Sequence, residues 1–126
     1  MKQVLLLDDD AAQLCVRELV LRKGGMECHV ATSARSALAL LRSSSGRERI
    51  GVVITDHLMP GMDGVDFVRE LRSFNREIPV IVISGLEAEQ EYAGLSVIFR
   101  TKPCEPEDLI SLVRATLSGP EQRVSA

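Results

Sequence analysis

The chain has 126 residues and a mass of 13.8 kDa, which is enough for one domain of common size and too little for two. Fifteen basic and eighteen acidic side chains give a net charge of −3, so nucleic acid is an unfavourable direct partner. No apolar run reaches the ~18 residues that cross a bilayer and no signal-peptide pattern opens the chain, so we expect a cytoplasmic protein without membrane contact.

Five apolar runs alternate with helical patterns, an arrangement typical of βα units around a parallel sheet. The predicted strands cover residues 4–7, 26–31, 50–55, 78–83 and 97–100. The first, third and fourth are apolar throughout, as strands with helices on both faces should be. The second alternates with period two, which predicts an edge strand with one face on the core and the other toward water.

Apolar residues between the strands recur at helical spacing and are assigned to the core. Ser33 and Asp63 stand where helix N-caps are expected, and Pro106 stands at the start of the last helix. Gly24 and Gly25 end the first helix. Residues 43–46 are predicted to form a connecting loop, and 119–126 a flexible tail or the start of a linker after one domain over 1–118. The predicted core residues of the helices are Ala34, Ala37, Leu38, Leu41, Phe67, Val68, Leu71, Phe74, Leu109, Ile110 and Val113.

The three cysteines form no C-x-x-C pair, so we expect reduced, mostly buried thiols.

Polar side chains follow the predicted strands at the point where each strand ends. Asp8 and Asp9 follow the first strand, Asp56 the third, Ser84 the fourth and Lys102 the fifth. Each residue alone has a structural explanation, such as capping a helix or starting a turn. Together they occupy the edge where open parallel sheets bind ligands. Three carboxylates there would repel one another without a cation. Oxygen ligands without His or thiolate suit a hard divalent ion, and a few carboxylates with room for waters and a phosphate oxygen suit Mg²⁺ better than Ca²⁺.

The chain resembles the receiver domain of two-component response regulators over about residues 2–118. The resemblance rests on four stretches in the family's order: LLLDDD at 5–10, ITDHLMPGMDG at 54–64, ISG at 83–85 and TKP at 101–103. It implies a doubly wound α/β fold of flavodoxin type, with a five-stranded parallel sheet in the order 2-1-3-4-5 between two helical layers. That order agrees with the edge position predicted for the second strand.

The resemblance implies a phosphorylation site centred on Asp56. Its carboxylate would take a phosphoryl group from a histidine kinase or phosphotransfer protein and become an aspartyl phosphate. Asp9, Asp56 and the backbone carbonyl of Leu58 would hold Mg²⁺, with Asp8 reaching it directly or through water. Lys102 would pair with the carboxylate before transfer and with a phosphoryl oxygen afterwards, because this chemistry needs positioning and charge neutralisation more than covalent help.

The resemblance also implies how the signal leaves the site and how long it lasts. Ser84 would move toward the phosphoryl group and pass the change to a downstream effector protein. Phe99 lies at the position of a switch aromatic, although an ordinary apolar strand residue explains it equally well. Leu58 and Leu86 would flank the path of the hydrolytic water without orienting it, so we expect slow self-dephosphorylation. The peptide bond before Pro103 is a candidate cis bond.

One segment departs from the family pattern. Between Ser84 and Lys102 the chain is about four residues short, roughly one helical turn. The helix before the fifth strand is therefore expected to be truncated or irregular, and its acidic start at 87–91 to be a solvated face. His57 is expected in a solvent-facing loop, without a role as a ligand or second phosphorylation site.

Other interpretations remain open. A haloacid-dehalogenase-like phosphatase also uses Asp, Ser or Thr, Lys and Mg²⁺, but residues 8–12 lack its motif and it needs an acidic pair on a strand after the lysine. A receiver-like adaptor that works without phosphorylation would not need the intact set of site residues. An FMN-binding flavodoxin would need a Ser/Thr/Gly phosphate loop where this chain has three acids. The chain is compatible with a stand-alone receiver, which is a switch rather than an enzyme, or with part of a longer regulator or hybrid kinase.

Overall fold

The computed structural model describes residues 2–125, with side-chain positions for residues 2–118. Along these residues, strands alternate with helices much as the sequence predicts. The strands are β1 (Gln3–Leu7), β2 (Cys28–Ala31), β3 (Ile50–Asp56), β4 (Val80–Ser84) and β5 (Val97–Thr101). The helices are α1 (Ala11–Lys23), α2 (Ala34–Arg42), α3 (Ser44–Arg49), α4 (Gly64–Phe74) and α5 (Pro106–Ser125), with a 3₁₀ turn at Glu89–Tyr92.

The five strands are parallel and form one sheet in the order β2-β1-β3-β4-β5. This order confirms the predicted doubly wound α/β fold of flavodoxin type. β1, β3 and β4 are buried along nearly their whole length, because helices cover both faces of the sheet. Successive side chains alternate between those faces, so that Leu5 and Leu6 join different apolar clusters.

The helices form one layer on each side of the sheet. On one side α2 and α4 pack Leu38 and Phe67 against the sheet, and on the other α1 and α5 pack Leu14 and Leu109. Most of the predicted helical core residues are buried as expected. The two that are only partly buried are Phe74 and Ile110.

β2 lies at the edge of the sheet, as predicted, but its two faces are not divided as the alternation indicates. Cys28 belongs to the cluster under α1 and α5, whereas Ala31 belongs to the opposite cluster under α2 and α4. Val30, which the alternation places on the same face as Cys28, is exposed. The reason is that both helical layers reach this strand only partly, so each face is covered at one end.

Several predicted helix ends are confirmed, and one predicted loop is wrong. The side chains of Ser33 and Asp63 accept hydrogen bonds from backbone N–H groups in the first turns of α2 and α4. Residues 43–46, predicted as a loop, instead begin the short helix α3, with the Ser43 hydroxyl accepting from the Gly46 N–H at 3.0 Å. This helix has no apolar stripe, so periodicity could not reveal it.

The C-terminal helix α5 begins at Pro106, as predicted, and its first turn contains two acids that the helix dipole favours. α5 extends to Ser125 and therefore includes most of the segment predicted as a tail, while Ala126 lies outside the described residues. The domain boundary at residue 118 stays a prediction. Within residues 2–125, none of the helices has the length and hydropathy to cross a membrane.

The three cysteines are free thiols, as the sequence predicts. Their burial is less uniform than expected, because only Cys28 is buried, Cys104 is half-buried and Cys15 is exposed on α1. Burial raises the pKa of the Cys28 and Cys104 thiols, which keeps them in the less reactive protonated form.

Candidate functional site

The predicted site residues lie together at the carboxyl edge of the sheet. Asp8 follows β1, Asp56 and Ser84 end β3 and β4, and Lys102 follows β5. The side chains of Asp8, Asp56 and Ser84 are buried, although they are polar. In the described part of the chain every buried side-chain nitrogen or oxygen has a hydrogen-bond partner. The edge is therefore a preorganised polar site and not an accidental gap in the core.

Asp56 is held at both carboxylate oxygens. The backbone N–H of His57 donates to Oδ1 at 2.8 Å, and Lys102 Nζ donates to Oδ2 at 3.2 Å. The lysine is placed by its own backbone, because the Lys102 N–H donates to the Ser84 carbonyl at 2.7 Å. The peptide bond from Lys102 to Pro103 is cis, as predicted. The predicted pairing of Lys102 with the Asp56 carboxylate is thus present in the structure.

Asp8 is fully buried and is also engaged at both oxygens. Oδ1 accepts from the Asp10 N–H at 2.9 Å, and Oδ2 accepts from Arg17 Nη1 at 3.1 Å. Burial raises the pKa of the Asp8 carboxyl, and the nearby Asp56 charge adds to this, while the Asp10 N–H, Arg17 and Lys102 oppose it. Asp10 itself caps α1, where its side chain accepts from the backbone N–H groups of Ala12 and Gln13.

The expected repulsion among the carboxylates is relieved by cations of the protein itself. Arg17 pairs with Asp8 and Lys102 pairs with Asp56, while Asp9 is exposed. In the described residues, no three Asp, Glu, His or Cys side chains are grouped closely enough to hold a metal ion by themselves. The donor types nevertheless fit Mg²⁺, which takes one or two carboxylates, a carbonyl such as that of Leu58, and several waters.

The segment after Ser84 is short and contains no α-helix before β5, which confirms the predicted truncation. Ser84 Oγ accepts from the Leu86 N–H at 2.9 Å, so the hydroxyl also fixes the start of this segment. A single 3₁₀ turn at Glu89–Tyr92 replaces the helix. Leu58 and Leu86, predicted beside the water path, are 59% and 51% exposed.

His57 is buried, which contradicts the prediction of a solvent-facing position. It is 4% exposed, and its Nδ1 lies 2.7 Å from the hydroxyl of Tyr92, itself buried. Room for this pair depends on Gly64, where a Cβ would lie 2.8 Å from the Asp56 carbonyl oxygen and would also overlap the tyrosine hydroxyl. The residue after Asp56 is therefore tied to the shortened segment. No ligand or phosphorylation role for His57 follows from this contact.

Phe99 packs in the same region. Its ring centroid lies 5.8 Å from that of Tyr92, and the ring is partly buried against the cluster under α2 and α4. A switch role for Phe99 stays a prediction.

Two further residues, Arg17 and Tyr92, matter at the site although no sequence motif marks them. Arg17 could have been found as a lone cation on the buried stripe of α1, between Leu14 and Leu21. Tyr92 could have been found as the only tyrosine of the chain, isolated in an acidic segment. Both signals are weak without the fold, because neither motif nor period marks the partner.

Known proteins similar to this chain identify its family. The model of the response regulator receiver domain matches residues 4–114. The response regulator protein TodT of Pseudomonas putida is 33% identical over 98% of this chain, and the probable transcriptional regulatory protein TcrX of Mycobacterium tuberculosis is 33% identical over 90%. This chain spans about half the length of these relatives, 55% of TodT and 49% of TcrX.

A solved structure supports the fold. The crystal structure of a response regulator receiver domain protein from Clostridium thermocellum matches with a TM-score of 0.87 and 23% identity, and the match covers 97% of this chain and 98% of that one. The chain belongs to the response regulator receiver domain family of two-component systems. Receiver domains of this family are signalling switches that bind Mg²⁺ at an acidic phosphorylation site.

The geometry bears on the other interpretations as well. After Lys102 the described residues contain only α5, so the strand that a haloacid-dehalogenase-like phosphatase needs after its lysine is absent there. An adaptor without phosphorylation has no need for the Lys102–Asp56 pair. The three acids after β1 leave no phosphate loop for FMN.

Proposed function

We propose that this domain is the phosphoacceptor switch of a two-component phosphorelay, with Asp56 as the acceptor. The observation that supports this most directly is the ion pair of 3.2 Å between Lys102 Nζ and Asp56 Oδ2, at the carboxyl edge of a sheet with the family's strand order. From this position Lys102 can pair with the Asp56 carboxylate before transfer and with a phosphoryl oxygen afterwards. Mg²⁺ would be held by Asp8, Asp9, Asp56 and the carbonyl of Leu58.

The reaction needs little beyond what these residues provide. A carboxylate oxygen of Asp56 attacks the phosphorus of a phosphohistidine, the O–P bond forms, and the P–N bond breaks with its electron pair going to the histidine. Lys102 then meets the negative charge of the phosphoryl oxygens, and the hydroxyl of Ser84 can donate to one of them once it leaves the Leu86 N–H. When bound, Mg²⁺ supplies the remaining charge neutralisation.

The partners follow from this chemistry. A histidine kinase or phosphotransfer protein supplies the phosphoryl group, and an effector protein or domain responds to the phosphorylated form. The chain turns over no separate substrate, because its only reactions are phosphorylation and dephosphorylation of its own Asp56. We also propose that it works in the cytoplasm, without direct contact with nucleic acid or membrane.

Intact mass spectrometry after incubation with acetyl phosphate tests the proposal, with beryllofluoride as a non-hydrolysable mimic. We expect a gain of roughly 80 daltons, the mass of HPO₃, with Mg²⁺ present and none with EDTA. Asp56→Asn should abolish it. Asp63→Asn is the matched control, because it removes a carboxylate from the same loop and still caps α4. An adduct that persists in Asp56→Asn would contradict the assignment of the acceptor.

A further inference from the structure

Arg17 stands at an unusual place for a charged residue. It lies on the face of α1 that also presents Leu14 and Leu21 to the core, at the helical spacings of three and four residues. Its side chain is only 13% exposed. A guanidinium with so little water around it is destabilising unless its charge is paired and its N–H groups are bonded.

The partners of Arg17 belong to the phosphorylation site. Nη1 donates to Asp8 Oδ2 at 3.1 Å, and Nη2 donates to Gln13 Oε1 at 3.4 Å. The same oxygen of Gln13 accepts from Lys102 Nζ at 3.2 Å. Since Lys102 also pairs with Asp56, two cations and one amide link the two buried carboxylates from the α1 side.

Asp8 therefore has a resident counterion at Oδ2, the carboxylate oxygen that is not bonded to the Asp10 N–H. Its other oxygen accepts from the Asp10 N–H, which belongs to the turn that caps α1 and is not free to leave. A cation that approaches Asp8 must displace the guanidinium from Oδ2 or share that oxygen with it. In both cases the positive charge of Arg17 stays close to the metal and opposes its binding.

We propose that Arg17 is the built-in counterion of the acidic site, which stabilises the metal-free domain and competes with Mg²⁺ for Asp8, so that it sets the affinity for the metal. This inference rests on the Mg²⁺ requirement of the proposed function. Arg17 touches no reacting atom and is a positioning residue. Its effect is that the site is loaded only at a higher concentration of free Mg²⁺ than the carboxylates alone would need.

Two measurements on the folded domain test this: the dissociation constant for Mg²⁺ by calorimetric titration, and the thermal midpoint in EDTA. The first variant is Arg17→Leu, which matches its apolar neighbours on α1. The second is Arg17→Gln, which keeps an N–H donor for Asp8 without the charge and so preserves folding if the leucine variant does not fold. Arg22→Leu is the control, because it removes an arginine of the same helix that pairs with Glu18 and not with the site.

Both Arg17 variants should bind Mg²⁺ more tightly, by about tenfold or 1.4 kcal/mol, while their midpoints in EDTA fall. Opposite changes in affinity and metal-free stability are the diagnostic result, since a merely structural residue would weaken both. Arg22→Leu should leave the dissociation constant unchanged. Equal or weaker binding of Mg²⁺ by both Arg17 variants overturns the proposal for Arg17 and leaves the function intact. No binding of Mg²⁺ to any form, including the unsubstituted protein, overturns the metal requirement itself.

Discussion

The two sides of the proposed phosphorylation site are held by different forces. On the α1 side, Asp8 and Asp56 are paired with Arg17 and Lys102, so the arrangement depends on charge. On the side of residues 85–96, Tyr92 is buried against neighbouring rings, and the arrangement depends on volume and one hydrogen bond. The charged side should therefore respond to ions and phosphorylation, and the aromatic side to the removal of atoms.

Removal of the tyrosine ring should produce the largest effect. Tyr92→Ala leaves a cavity beside His57 and Phe99, and we expect it to lower the free energy of unfolding by about 3–5 kcal/mol. Urea denaturation followed by circular dichroism measures the change. Gln90→Ala, an exposed position of the same 3₁₀ turn, is the control and should cost well under 1 kcal/mol. If the two variants are equally stable, burial of the ring does not hold the segment.

The tyrosine hydroxyl alone should matter less. Tyr92→Phe keeps the ring but leaves the buried Nδ1 of His57 without its partner, which should cost about 1–3 kcal/mol. His57→Leu combined with Tyr92→Phe tests whether the loss comes from this hydrogen bond. The double variant should then be more stable than the sum of the two single losses indicates. Strict additivity would show that the two groups do not interact.

Deprotonation at high pH removes the same hydroxyl proton of Tyr92 without a mutation. Burial raises the pKa of Tyr92 above its ordinary value near 10, and the charges of Asp63, Glu91 and Asp56 add to this. A group whose pKa is raised in the folded state stabilises the fold fully at a pH below its pKa in the unfolded chain. This stability is lost as the pH rises from the unfolded pKa through the folded pKa. Above pH 10 this group should remove up to about 1.4 kcal/mol of stability per pH unit.

The chain offers a clean probe for that loss, because Tyr92 is the only tyrosine and there is no tryptophan. Tyrosinate absorbance should appear together with unfolding, and the Tyr92→Phe variant should lose stability less steeply over the same range. Ionisation near pH 10 in the still folded protein would show that Tyr92 is accessible to water.

The two sides also differ in what the sequence could reveal. The charged side was predictable, because Asp8, Asp56 and Lys102 each follow an apolar strand and parallel strands bring those positions to one edge. The pairing of Arg17 with Asp8 was not predictable, because the two residues lie nine positions apart and only the fold brings them together. On the aromatic side, the missing helical turn could be predicted from the number of residues between Ser84 and Lys102. A 3₁₀ turn replaces the helix, and the buried contact of its Tyr92 with His57 joins residues 35 positions apart, which no local pattern reveals.

Magnesium should act on the charged side only. At ten times its dissociation constant, Mg²⁺ should stabilise the fold by about 1.4 kcal/mol. Asp9→Ala should remove most of this gain, whereas Tyr92→Phe should keep it in full despite its lower baseline. Thermal melts during a Mg²⁺ titration provide the measurement. An unchanged midpoint in saturating Mg²⁺ would count against a metal site, and loss of the gain in Tyr92→Phe would show that the two sides are coupled.

The smallest effect concerns the lifetime of the aspartyl phosphate, where the two sides meet. Leu58 lies two residues after Asp56, the proposed acceptor, and Leu86 lies near the start of the shortened segment. Both are exposed, and neither can orient a water for attack on phosphorus. Leu58→Asn with Leu86→Glu should place an amide and a carboxylate beside that water and accelerate hydrolysis a few-fold, which is about 1 kcal/mol of barrier or less. The affinity for Mg²⁺ should change little, because Leu58 would contribute only its backbone carbonyl.

The decay of the phosphoprotein after removal of acetyl phosphate measures the rate of hydrolysis. Leu19→Asn, which replaces a similarly exposed leucine on α1, is the control. The position of Leu86 depends on the fold of the shortened segment, so the two single variants separate the contributions. If Leu58→Asn accelerates hydrolysis as much as the double variant and Leu86→Glu does not accelerate it, residue 86 does not face the water. No acceleration by the double variant would contradict this explanation of a long-lived signal.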